Sequence, residues 1–375
     1  MKRFGQVSYN IYCNFTNYGS ALQSWSLHQI INKLGAGRWR AVLVDYCPDV
    51  LMDKDPLNPF KNMWDKDEET RKMCELMMPA IKENYKKFDH FYHKQFKRTL
   101  RKYTSTNFNE INNDEKLDGF VCGSDTIFCP DEFGFDDGYY ANYQCMQKRS
   151  VAYAASFGDS HFTEDTYRLL NQYLQNFNAI GLRENLMISY VSEYIPVPVQ
   201  AVIDPTLLLD SKDYDEITAR CLEKERYLLL YSRRYNPVME AYAERLAEKN
   251  NWKIVEISLR ATNSEKKNRR MFYEAGVEEF LSLIKHAEFV ITNSFHGVIF
   301  SVQYKRPFYV FSREQCDTKI TELLKLFGLT DRLKYTGTEE NEYKIDYTAV
   351  HNRIVKARKQ SIEFLKMELE ICLSK

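Results

Sequence analysis

The chain of 375 residues carries no net charge, its 52 Lys and Arg being matched by 52 Asp and Glu. No global field therefore argues for a nucleic-acid partner. Its nine cysteines (Cys13, Cys47, Cys74, Cys122, Cys129, Cys145, Cys221, Cys316 and Cys372) contain no CxxC pair. That excludes a zinc ribbon and a thioredoxin-type motif. An odd number of scattered thiols reads as reduced cysteine in a cytoplasmic protein. No apolar run is long enough to span a bilayer. Met1-Lys-Arg-Phe-Gly enters a mixed segment without the apolar core of a secretory leader. There is no GxGxxG fingerprint, so no dinucleotide is expected, and no repeat or low-complexity segment. Asp131, Glu132, Asp136 and Asp137 share a Gly- and Tyr-rich loop but lack metal-ligand spacing, so neither a metal nor a resident cofactor is expected.

What the chain does contain is strands alternating with helices. Val7 to Cys13 reads as a first strand and Asn14 to Gly19 as a turn. Leu22, Trp25, Leu27, Ile30, Ile31 and Leu34 then recur at helical spacing until Gly35 and Gly37 stop them. Ala41–Tyr46, Leu117–Cys122, Ser150–Ala155, Ala179–Leu182 and Gln200–Ile203 follow as strands. A charged stretch over 210–224 is the expected boundary. A second series runs through Tyr227–Tyr231, Lys253–Ile257, Phe289–Ile291 and Pro307–Phe311, and a long amphipathic helix covers 349–373. The expected fold class is α/β, with two Rossmann-like domains over 1–210 and 225–375 and a C-terminal helix crossing between them. This is a glycosyltransferase-B-like cleft architecture.

The segment 56–104 differs from its surroundings. Lys82, Lys86, Lys87, Lys94, Lys97, Arg98, Arg101 and Lys102 face only Glu83 and Asp89, with Tyr85, Phe88, Phe91, Tyr92 and Phe96 interleaved. It reads either as an amphipathic helix with a solvated basic face, or as a surface for an anionic, lipid-linked acceptor or the inner face of a membrane.

The stretch from Glu288 to Ser301 carries the chemistry. A buried strand turns through Thr292, Asn293 and Ser294 into an apolar helix from about Gly297, with His296 at the turn. Free N–H groups and the helix dipole converge there on an anion, and an imidazole adds a proton or a charge. Arg183, at the end of its strand, offers a fork that fits a phosphate or a carboxylate, or simply pairs with Glu184. Asp125 either caps its turn or serves as a base on the ligand edge of the sheet. Asp204-Pro-Thr reads as architectural.

Six motifs occur in order: Asn17-Tyr-Gly-Ser-Ala-Leu-Gln23, Gly123-Ser-Asp125, Tyr153-Ala-Ala-Ser-Phe-Gly158, Leu182-Arg-Glu184, Asp204-Pro-Thr-Leu-Leu-Leu209 and Thr292-Asn-Ser-Phe-His-Gly297. Together they resemble the polysaccharide pyruvyl transferase family from about residue 6 to residue 330. The resemblance implies phosphoenolpyruvate as co-substrate and transfer of its pyruvate to a sugar or oligosaccharide as a ketal, in capsule or exopolysaccharide synthesis. It implies that Arg183 and His296 contact the donor; from their places on the ligand edge, His296 and Asp125 are the expected catalytic groups and Arg183, Ser294, Asn293 and Gly297 the expected donor-binding ones. Asn17, Tyr18, Gly19 and Ser156 are expected on the acceptor side. Many relatives carry an arginine where this chain has Ser294, so another cation is expected to compensate, among Arg233, Arg234, Lys305, Arg306 and Arg313. Two alternatives share the fold: a nucleotide-sugar-dependent glycosyltransferase and a non-catalytic glycan-binding relative.

Overall fold

The computed structural model describes residues 1–12, 16–57, 68–313, 317–336 and 344–374. Cys13, residues 58–67 of the 56–104 segment and Cys316 lie outside the described residues. The first sheet contains β1 (Lys2–Val7), β2 (Trp39–Leu43), β3 (Gly119–Cys122), β4 (Ser150–Ala155), β5 (Ala179–Leu182) and β6 (Val199–Ala201), in the order β2-β1-β3-β4-β5-β6. The second contains β7 (Tyr227–Tyr231), β8 (Lys253–Ile257), β9 (Arg269–Met271), β10 (Phe289–Thr292), β11 (Phe308–Phe311) and β12 (Leu333–Lys334), in the order β12-β11-β10-β7-β8-β9. All pairings are parallel. Strands covered on both faces need continuous apolar runs, which is why Tyr227-Leu-Leu-Leu-Tyr231 is buried throughout.

The strand orders decide where a ligand sits. In open parallel sheets it binds beyond the carboxyl ends, where neighbouring strands lead away in opposite directions. That point lies between β1 and β3 in the first sheet and between β7 and β10 in the second. The chain is thus two doubly wound halves in a glycosyltransferase-B-like arrangement.

The first strand is shifted from its expected place. It ends at Val7 instead of starting there. Lys2, Arg3, Gly5 and Gln6 hide a central strand from a search for apolar alternation. The apparent signal over 7–12 belongs to a loop whose Tyr9 and Ile11 are buried and whose Ser8 is hydrogen-bonded to Ser24.

Among the described residues, the longer helices that cover the sheets are α1 (Tyr18–Gly35), α2 (Glu68–Gln95), α3 (Glu164–Tyr173), α4 (Pro237–Asn250), α5 (Val277–Lys285), α6 (Phe295–Gln303), α7 (Asp317–Phe327) and α8 (Tyr347–Ser374), with shorter helices and turns between them. Three of them join the halves. At the start of α1, Tyr18 stacks on Phe280 of α5, with centroids 4.4 Å apart and planes at 8°. Its hydroxyl donates to the Ala275 carbonyl at 2.8 Å. Helix α2 buries Phe88, Phe91 and Tyr92, and reaches α5 through Lys87–Glu279 at 2.7 Å and Lys94–Glu278 at 3.1 Å. Arg98 pairs with Asp45 and Arg101 with Asp114. With Lys86 at 4.0 Å from Glu83, five of the eight basic residues of the run are in intramolecular ion pairs. Helix α8 returns to the first sheet, where Ser361 Oγ accepts from the Ile203 N–H at 3.0 Å and Phe364 lies against Gly181. Among the described residues, no helix is long and apolar enough to cross a membrane.

Tyr18 thus joins the halves by both its ring and its hydroxyl. Tyr18→Ala is expected to lower the unfolding free energy by about 3–5 kcal/mol, the usual cost of emptying a buried aromatic site. Tyr18→Phe should lose only about 1 kcal/mol. Urea denaturation of both variants checks this, and equal losses would mean that the stacking contributes nothing.

Candidate active site

Both switch points open into one cleft of ≈ 560 Å³. Its first-half wall presents Tyr9, Asp125, Thr126, Glu132, Asp159 and Ser160; its second-half wall presents Arg233, Arg234, Arg313, Lys319 and His296. Carboxylates and hydroxyls therefore face cations across the gap.

At the base of the cleft, Arg183 leaves the end of β5 into a ring of carboxylates. Its Nε is 3.1 Å from Glu184 Oε1, its Nη1 3.1 Å from Asp204 Oδ2 and its Nη2 3.6 Å from Asp125 Oδ1. The guanidinium is 5% exposed and covers the Phe295 ring at 4.8 Å. Burial works against its charge, but the three carboxylates hold it firmly protonated. Arg183 therefore does not aim an open fork at a ligand, as its sequence context implied. It instead ties together the ends of β3, β5 and β6.

Asp204 was expected to be architectural, and it does cap the turn after β6, accepting from the N–H and hydroxyl of Thr206. Its second oxygen does more. It lies 3.6 Å from His296 Nε2, a buried nitrogen with no hydrogen-bond partner among the described residues. Burial pushes the Asp204 carboxyl up, but His296 and Arg183 outweigh it and hold the group far below the usual carboxylate range. Asp125 behaves similarly: burial raises it, while Arg183, His296, Lys319 and a hydrogen bond from Ser20 lower it. Two ionised carboxylates thus flank one arginine and one imidazole.

His296 is placed by sequence-local rules. Ser294 caps α6, its hydroxyl accepting from the Gly297 N–H at 3.3 Å, so His296 falls in the first turn with its ring toward the first half. There it meets Gly19. A Cβ added at Gly19 would lie 2.0 Å from His296 Nδ1, so the start of α1 must lack a side chain for the ring to fit. Gly297 plays a matching part, since a Cβ there would lie 2.6 Å from Thr292 Oγ1.

Other expected site residues turn out to be scaffold. Asn293 spends its side chain on the β7–α4 loop, accepting from the Arg233 N–H at 2.8 Å and donating to the Arg234 carbonyl at 2.7 Å. It aims two arginines at the cleft without reaching into it. Tyr18 is buried between the halves, off the cleft lining. Ser156 is fully buried and accepts from the Gly158 N–H. Asn17 does line the cleft, with its carbonyl committed to capping α1. Of the cations expected to compensate for Ser294, Arg233, Arg234 and Arg313 reach the cleft. Arg306 sits beyond the far end of α6, donating to the Ala287 carbonyl, and its neighbour Lys305 is likewise absent from the lining. Sequence reasoning missed Lys319, Tyr9 and Thr126. Nothing marks Lys319 locally, because a lysine in an amphipathic helix is ordinary. Among the described residues, no cluster of His, Cys, Asp and Glu could hold a metal ion.

The architecture has solved counterparts. A protein from Listeria monocytogenes, provisionally assigned as a UDP-N-acetylglucosamine 2-epimerase, superposes with a TM-score of 0.53 at 11% identity, over 98% of this chain and 90% of that one. The UDP-GlcNAc 2-epimerase from Neisseria meningitidis, bound to UDP-GlcNAc, gives 0.49 at 12% identity, over 99% and 94%. At such identities the likeness concerns the fold alone. No curated protein matches the sequence. A family model described as polysaccharide pyruvyl transferase matches residues 17–315. That match covers most of the chain and takes in the cleft residues from Asn17 to Arg313; the chain belongs to the polysaccharide pyruvyl transferase family.

Proposed function

We propose that the protein transfers pyruvate from phosphoenolpyruvate to a sugar of a polysaccharide or its precursor, closing a ketal across two hydroxyls. The observation that carries this reading is the polarised cleft, with cations on one wall, carboxylates on the other and the His296–Asp204 pair at its base. An anionic donor fits against Arg233, Arg234, Arg313 and Lys319, beside the N-terminus of α6. A polyol fits against Asp125, Thr126, Glu132 and Ser160, which accept from or donate to hydroxyls.

The reaction needs few groups. C3 of the enol takes a proton and becomes a methyl group, while C2 forms a bond to the first sugar oxygen. The C2–O bond to phosphate then breaks, inorganic phosphate leaves, and the second sugar oxygen closes the ketal. Of the two hydroxyl protons released, one balances the proton taken up at C3 and the other leaves with phosphate. His296 is the proposed proton donor, with ionised Asp204 as counter-charge for its imidazolium. Asp125, held ionised by Arg183, is the proposed acceptor of a hydroxyl proton. Arg183 is a positioning residue, fixing both carboxylates.

Incubation with phosphoenolpyruvate and candidate glycans is expected to add one pyruvate ketal by mass, with release of one phosphate. A nucleoside diphosphate that stabilises the protein to heat, where phosphoenolpyruvate does not, would overturn the reading. Gly19→Ala and His296→Ala are expected to fold and yet lose turnover. The alanine methyl at position 19 should displace the imidazole, and a displacement of that size costs about 10²-fold in rate. Wild-type kcat in either variant would remove His296 from the mechanism.

Arg183→Ala should behave differently, because it strands three carboxylates. The expected loss at pH 7 is about 3–5 kcal/mol. Asp125 and Asp204 have depressed folded-state values, so their contribution is complete above the ordinary carboxyl range and is lost as pH falls from there through those lower folded-state values. The deficit of the variant should therefore shrink below about pH 4. Urea unfolding across pH tests this, and a deficit constant with pH would contradict it.

A further inference from the structure

The first-half wall of the cleft carries two carboxylates that are held in different ways. Asp125, at the end of β3, has Oδ1 3.6 Å from the Arg183 guanidinium, while its Oδ2 accepts from the Ser20 hydroxyl at 2.9 Å. Glu132 comes from the short helix Pro130–Phe133 that follows the same strand. Its Oε1 accepts from the hydroxyl of the buried Tyr9 at 2.8 Å and its Oε2 from the Thr126 hydroxyl at 2.6 Å. The two hydroxyl oxygens are 3.2 Å apart, so they grip the carboxylate from one side. Glu132 is otherwise exposed and lines the cleft, and each of its oxygens keeps a lone pair for a donor arriving from there. Among the described residues its side chain meets hydroxyls and no cation.

The surroundings of Glu132 set its basicity. Tyr9 faces it from the loop after β1, Asp125 and Thr126 from the end of β3, Lys319 from α7 and Cys129 from its own turn. Withdrawal from bulk water raises its carboxyl above the ordinary range; the two hydroxyls and Lys319 lower it, and the Asp125 charge raises it. The net displacement is upward, opposite to that of Asp125. Two acids driven apart in this way divide proton transfer between them. The other acids of the wall are not held for such a task. Asp131 is exposed and accepts from the His161 N–H, and Asp159 is exposed, with no side-chain partner among the described residues to fix it.

Closing a ketal across two hydroxyls releases two protons at different moments, and Asp125 accounts for one of them. We propose that Glu132 is the base of the second, ring-closing step, held for it by Tyr9 and Thr126, a role that rests on the pyruvyl-transfer reading above. Loss of phosphate leaves C2 as a cation stabilised by the first sugar oxygen. The second hydroxyl oxygen supplies the electron pair of the new C2–O bond, the electrons of its O–H bond stay on that oxygen, and the proton passes to Glu132. The proton then leaves with phosphate, which restores the carboxylate. Where closure is slow, water adds to the same cation instead, and the adduct collapses to pyruvate and the free sugar. Glu132 therefore also decides between a finished ketal and a wasted donor.

The partition between those two outcomes is the test, made on the full chain with phosphoenolpyruvate and a glycan with neighbouring free hydroxyls that wild type converts. Wild type should release one phosphate for each ketal at neutral pH. Glu132→Gln keeps the size of the side chain and removes the base. It should lower ketal formation about 10²-fold, with phosphate and free pyruvate released in excess of ketal. Glu132→Asp should recover part of the coupling. In wild type, the same excess should appear as pH falls and Glu132 takes up a proton, whereas the ratio in Glu132→Gln should not change with pH. The wild-type arm decides the matter even if the variant fails to fold. Phosphate release and ketal formation that fall in step in Glu132→Gln would mean that the residue only binds or supports, and would overturn the role. A wild-type ratio that stays at one down to the ordinary carboxyl range would do the same, and either result leaves pyruvyl transfer standing. Wild type that forms no ketal with any glycan offered would overturn both.

Discussion

A buried guanidinium must be neutralised where it stands, and Arg183 is neutralised by three carboxylates from three separate strand ends. Much of the cleft depends on that constraint. Against their burial, Asp125 is held ionised chiefly by the arginine and Asp204 by the imidazole that arrives from the other sheet together with the arginine. Removing the charge from the centre would leave carboxylates repelling one another in a poorly solvated space, a much larger penalty than the loss of a surface ion pair. The site is therefore held by electrostatics at the base of the first half and, where the halves meet, by the Asp204–His296 pair and by shape, since His296 fits only over a residue without a side chain.

The halves do not meet as loosely tethered bodies. One apolar cluster runs from Phe4 and Val121 in the first half through Tyr18 and Trp25 of α1 to Phe280 and Phe300 in the second. Helix α2 adds ion pairs to the same face of α5. Interfaces that are large and apolar restrain relative motion, which keeps the cationic wall at a set distance from the acidic one. The basic helix, which in isolation resembles a surface for anionic partners, also acts as a brace through Lys87 and Lys94.

Much of the fold was legible in the sequence, because parallel strands covered on both faces announce themselves as apolar runs. Ser150–Ala155, Ala179–Leu182, Tyr227–Tyr231 and Lys253–Ile257 fall where the pattern puts them. The first strand was not legible, since its charged entry and internal glycine mimic a loop. The candidate site was legible as a set of short words in order, because five of the six mark a strand end and the sixth the start of α1. The division of labour within those words was not. Asn293 looks like a ligand group and supports a loop; Tyr18 looks like a sugar platform and cements an interface. Asp204 looks like a turn and faces the histidine, and Lys319 carries no local mark at all. The roles of Asn293, Tyr18 and Asp204 depend on neighbours at least 59 positions away, which local spacing does not encode.

The return of α8 to the first sheet has a consequence for how the molecule is made. The contact between Ile203 and Ser361 joins residues 158 positions apart, and Asn178 meets Cys372 across 194. During vectorial synthesis the first sheet must therefore wait, with that face uncovered, until the whole second half has left the ribosome. Any factor that shields nascent chains would find its longest-lived target on β4 and β5, and a premature stop before residue 347 would leave a nearly complete cleft on an unsealed scaffold.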